Sequence, residues 1–176
     1  AQYYGAKKQD DVRRTVHTAM ALSVAGGAVI MVLGMLFSGA ALRAMNTPDE
    51  ILSMSAVYMR VYFLGVIPSL VYNMGSGILR AVGDSKRPLY FLVLSCLVNI
   101  VLDIFFVTIL KMGVVGVAVA TALSQVVSAL MVMMTLMRTD ESYRLVLCEI
   151  QFHPVLLHNI IRIGLPAGIQ STMYSA

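Results

Sequence analysis

Four long stretches of this chain are almost free of charge, and that feature leaves few folds open to it. Residues 18–42 contain no Asp, Glu, Lys or Arg, a run of 25. As a helix, such a run reaches about 37 Å, enough to cross a hydrocarbon core of roughly 30 Å. Residues 61–79 and 112–137 are also uncharged, and 88–110 carries a single formal charge, Asp103. In hydrocarbon every backbone N–H and C=O has to be bonded internally, so these runs are read as helices. Only 12% of the residues are charged and 59% are hydrophobic. A soluble domain carries about 25% charged residues, so a surface facing water on all sides is excluded.

The charges that remain lie between the runs. A net charge of +4 would suit a nucleic-acid partner only if the basic residues formed one patch, and they form short clusters instead. Lys7, Lys8, Arg13, Arg14, Arg80, Lys86, Arg87, Arg138, Arg144 and Arg162 share one side, against Arg43, Arg60 and Lys111 on the other. The excess places the chain's start, the 80–88 loop and the segment after 137 in the cytoplasm. The expected topology is four spans of a multi-pass protein in the cell's inner (plasma) membrane, with the lipid bilayer as first partner. Cys96 and Cys148 have neither metal nor disulfide spacing, and no metal or cofactor is expected. His17, His153 and His158 read as interfacial, without a role. Motifs of hydrolases, metalloproteases and phosphate loops are missing, which argues against an enzyme.

The junctions can be read in more detail. Asn46-Thr47-Pro48-Asp49-Glu50 predicts a helix start with Thr47 as cap, Pro48 as first helical residue and Glu50 completing a capping box. Pro68 predicts a kink. Gly65, Ser69, Asn73 and Ser76 form a polar face expected to turn inward. Gly83 turns the basic loop, and Ser85 is the expected cap of the next helix. Gly116, Ala120, Ser124 and Ser128 make a seam of small residues for close packing, with Thr121 and Gln125 beside it. Residues 138–162 mix charge and apolar positions, predicting an irregular connector and a surface helix over 154–162. Residues 163–176 read as the opening of a further membrane helix.

Asp103 lies within the span 88–110, around which the other helices are expected to gather. A carboxylate there costs about 2.5–3.5 kcal/mol on insertion scales, so an intramembrane acid is a functional candidate by default. Asn99, four residues earlier, shares its helical face. The plain alternatives are that Asp103 only joins helices and that Thr121 bonds back to its own helix.

AQYYGAK, NTPDE, GILRAVGDSKRP, NIVLD, GVVGVAVATALSQ and IGLPAG, in that order, resemble a multidrug and toxic compound extrusion (MATE) transporter. The likeness runs along essentially the whole chain, from the end of that family's second helix to the start of its seventh. It implies an all-α membrane fold: residues 1–137 as a partial N-terminal lobe of four complete helices, 138–162 as the cytoplasmic link between lobes, and 163–176 as the start of the second lobe. It also implies export of cationic or amphipathic small molecules in exchange for H+ or Na+, with the transporter's other helices as partners and this piece inactive alone. The family's N-lobe cation site carries over to Asn99 and Asp103, to Thr121, and to Asn73 as the fourth-helix amide. A lipid-linked oligosaccharide flippase and a non-transporting membrane assembly module remain the alternatives. A flippase would be expected to carry several intramembrane Arg or Lys, and only Arg60 is available.

Overall fold

A computed structural model describes residues 9–150 and, beyond them, 156–158, 160, 162, 164, 166 and 170. Its helices are α1 (Gln9–Ala44), α2 (Asp49–Leu64), α3 (Val66–Ala81), α4 (Lys86–Ile104) and α5 (Gly113–Arg138). α2 and α3 form one broken span, Asp49–Ala81, so among the described residues four spans are long and apolar enough to cross a membrane. The 154–162 surface helix and the membrane helix expected over 163–176 lie largely outside the described residues; those described within them, 156–158, 160, 162, 164, 166 and 170, are helical.

The turns follow from local chemistry. Asn46 adopts φ 56° and closes α1, with Thr47 N–H donating to Leu42 O and Asn46 N–H to Arg43 O. Gly83, at φ 95°, closes α3 through the same pair of bonds, from Asp84 to Leu79 and from Gly83 to Arg80. Both are Schellman closures, which need a left-handed residue that Gly and Asn supply most cheaply. Two expected caps are corrected. Thr47 is used in closing α1, so Pro48 becomes the N-cap of α2, and no side chain caps that end. At α4 the capping oxygen belongs to Asp84, whose Oδ1 accepts from Arg87 N–H at 3.1 Å. Ser85 makes no cap bond.

The kink forms at Gly65, three residues before the proline that causes it. Pro68 has no N–H to give Leu64 O, so the ladder opens one turn upstream and restarts with Ser69 N–H bonded to Gly65 O. A Cβ at Gly65 would stand 2.7 Å from Gln125 Oε1 and 3.3 Å from Ala122 Cα. The break is therefore pressed against α5.

α5, and not α4, is the helix about which the others pack: it touches α2, α3 and α4, while α4 leans chiefly on α5. The physical reason is the small-residue seam. Gly116, Ala120, Ser124 and Ser128 are all buried, which lets neighbouring backbones come close. One and two turns beyond Ser128 in the same row, Val132 and Leu136 are fully buried against Gly75 of α3. α4 turns an apolar face outward, with Tyr90, Leu97 and Val101 all more than half exposed.

The connector is fastened to the start of α1. His17 is 2% exposed; its Nδ1 lies 2.7 Å from Arg13 O, and Nε2 accepts from Val146 N–H at 3.0 Å. The backbone donor fixes the tautomer, with the ring proton on Nδ1. Leu145 N–H donates to Leu136 O, and Arg13 pairs with Glu149.

Candidate functional site

The site grows out of the α4–α5 crossing. Ser95 Oγ donates to Ser124 O at 2.9 Å, and Phe106 lies against Gly116, where a Cβ would meet its Cβ at 3.0 Å. These two contacts set the antiparallel register. Asn99 falls level with residues 120–121 and Asp103 near 117. Ser95, Asn99 and Asp103 repeat every fourth residue, so they share one face, and that face is the covered one.

Asn99 Nδ2 and Asp103 Oδ1 are both buried with no hydrogen-bond partner, the only such side-chain atoms among the described residues. An orphaned polar atom costs about 1–3 kcal/mol, and more when charged. The two lie on adjacent turns of α4. The acid offers oxygen ligands, and the amide can offer its own oxygen by rotation. Such a donor set suits a proton or a small hard cation. Among the described residues, no group of three or more His, Cys, Asp or Glu is placed to hold a metal ion.

The other two candidates sit differently. Thr121 is half-buried at the level of Asn99, but its hydroxyl donates to Val117 O in its own helix at 2.9 Å. Asn73 is exposed and its amide donates to Ser69 O at 2.8 Å. The inward polar face expected of that span is thus only partly inward. α3 buries Val71, Gly75, Ser76 and Leu79, and Asn73 lies on the rim, facing away from α5.

A feature absent from the sequence reading lies directly after Asp103. Residues Phe105–Ile109 form a π-helical turn, closed by Leu110 N–H to Phe105 O. Thr108 Oγ donates to Ile104 O in the same turn. Such one-turn bulges are frequent at functional sites. No proline or glycine in FFVTI announces it.

The MatE family model matches residues 1–105. The "Probable multidrug resistance protein YoeA" of Bacillus subtilis (strain 168) is 32% identical over 184 residues, spanning 99% of this chain. The chain belongs to the MatE family. It covers 39% of that relative's length. An inward-facing structure of a multidrug resistance MATE family transporter of the MOP superfamily superposes with a TM-score of 0.86 at 32% identity, covering 94% of this chain and 38% of that one. An outward-facing structure of the same description also gives 0.86, at 31% identity over 95% of this chain and 37% of that one. The MatE chain is thus an all-helical, multi-pass membrane protein of a transporter family, as its motifs led one to expect.

Proposed function

We propose that this MatE chain is the greater part of the N-terminal lobe of a cation-coupled efflux transporter, and that Asn99 and Asp103 hold the coupling H+ or Na+. The supporting observation is the pair of buried, unbonded polar atoms on one face of α4. In a membrane-embedded seam, a carboxyl group with an open lone pair gains by taking up a proton or a dehydrated cation. Thr121, whose hydroxyl donates to Val117 O, is assigned as a further ligand to the pair. Asn73, exposed and with its amide donating to Ser69 O, is assigned to the wall of the substrate path. The exported compounds are cationic or amphipathic small molecules, by analogy with the multidrug resistance proteins it resembles.

Residues 1–137 are assigned to the lobe, 138–162 to the link between lobes, and 163–176 to the start of the second lobe. One fit to both inward- and outward-facing relatives supports a lobe that moves as a body. The site then changes access without being dismantled. The chain spans 39% of the length of YoeA, and export is assigned to the full-length transporter.

Asp103→Asn in the full-length protein tests the reading. It keeps size and hydrogen bonding but removes the titratable charge. Cells making it at normal levels should lose export of a cationic dye against a gradient. Undiminished export would remove Asp103 from the coupling step.

A further inference from the structure

At the opposite end of α4 from Asp103, about 24 Å along the helix axis, a crevice of about 600 Å³ opens between the start of α4 and the end of α5. Arg87 and Arg138 stand at its rim, and Phe91, Met131 and Met134 line it deeper, with Thr135 between. The order follows from the antiparallel helices. Arg87 is the second residue of α4 and Arg138 the last of α5, so both stand at the same end of the helix pair. Phe91 comes one turn further into α4 than Arg87, and Met134 and Met131 come one and two turns further into α5 than Arg138. Charge above and apolar surface below is the order of a phospholipid itself.

Both arginines are available. Asp84 takes only Nε of Arg87, at 3.2 Å, and the Arg87 side chain is 57% exposed. Arg138 is exposed and has no ion pair or hydrogen bond among the described residues. Tyr72 of α3, whose hydroxyl donates to Pro88 O at 2.9 Å, fixes the start of α4. Basic pockets between spans on the cytoplasmic side are suited to anionic headgroups.

We propose that this crevice binds one anionic phospholipid of the cytoplasmic leaflet, its phosphate between Arg87 and Arg138 and an acyl chain over Phe91, Met131 and Met134. The proposal rests on the orientation that places Arg87 and Arg138 in the cytoplasm, and not on the cation site. A soluble phosphate would leave the apolar floor unused. Occupancy would tie α4 to α5 at the end opposite the Phe106–Gly116 contact.

Native mass spectrometry of the full-length protein tests it, with phosphatidylglycerol and phosphatidylcholine added in turn. One phosphatidylglycerol should be retained in preference to phosphatidylcholine. Arg87→Gln and Arg138→Gln should each weaken that retention about fivefold, and both together roughly thirtyfold. The pair Arg80→Gln and Arg144→Gln, of equal charge and outside the crevice, should leave it unchanged. Arg138→Gln, which breaks no pair among the described residues, gives the answer if the double variant does not fold. Equal retention of both lipids, equal loss in the Arg80/Arg144 control, or displacement by inorganic phosphate would each overturn the proposal.

Discussion

Gly75→Ala adds a single methyl group where α3 meets α5, and its cost can be worked from the geometry. The new Cβ would stand 2.8 and 3.0 Å from the two methyls of Val132 and 3.4 Å from a methyl of Leu136. The first contact is about 0.6 Å inside ordinary van der Waals range. Val132 cannot swing aside, because β-branched side chains keep essentially one rotamer in a helix, and it is fully buried. The helices must therefore part by several tenths of an ångström, a cost of about 1–3 kcal/mol. Against it stands a gain of about 0.8–1 kcal/mol for Ala over Gly in a helix. Gly77→Ala separates the two, because it offers the same gain on the same helix with nothing within 4 Å of its Cβ. Unfolding both variants reversibly in mixed detergent should place Gly75→Ala below Gly77→Ala by about 1–3 kcal/mol. Adding Val132→Ala should return part of the difference. If the two glycine variants are equally stable, the α3–α5 contact is not as close as described.

His17→Ala should free the connector: it orphans Val146 N–H and costs about 1–3 kcal/mol, so limited proteolysis between residues 139 and 150 should quicken while cleavage within the spans does not. Ser95→Ala removes a bond between helices but leaves two small residues in contact. Its effect should stay under about 1 kcal/mol, as is usual for hydrogen bonds between membrane helices, and thermal unfolding in detergent would register a larger one.

The spans were legible because charge is sparse and hydrocarbon admits few backbone structures. The seam Gly116–Ala120–Ser124–Ser128 was equally plain, because small residues at every fourth position have one geometric use. What stayed hidden depends on three-dimensional partners. His17 read as interfacial, yet it is buried because Val146, 129 residues away, donates to its ring. Pro68 foretold a break, but its position at Gly65 depends on which carbonyl loses its donor and on room beside Ala122 and Gln125. Asn73 shares a stripe with buried Ser76, but a helix rim cannot be told from a helix face until its neighbours are placed. The sequence also suggested that 88–110 would be central. Its hydrophobicity reports contact with something apolar and does not distinguish lipid from protein.

Coupling is the central claim, and ion movement tests it more directly than resistance does. The full-length protein would be reconstituted into sealed vesicles and a substrate gradient imposed, while internal pH and Na+ are followed by fluorescent indicators. Wild-type protein should drive H+ or Na+ in the direction opposite to substrate. Asp103→Asn should still bind substrate but move no ion, and Asn99→Leu should sharply reduce the flux. Ion movement at the wild-type rate through Asp103→Asn would contradict the assignment of the coupling ion to this pair.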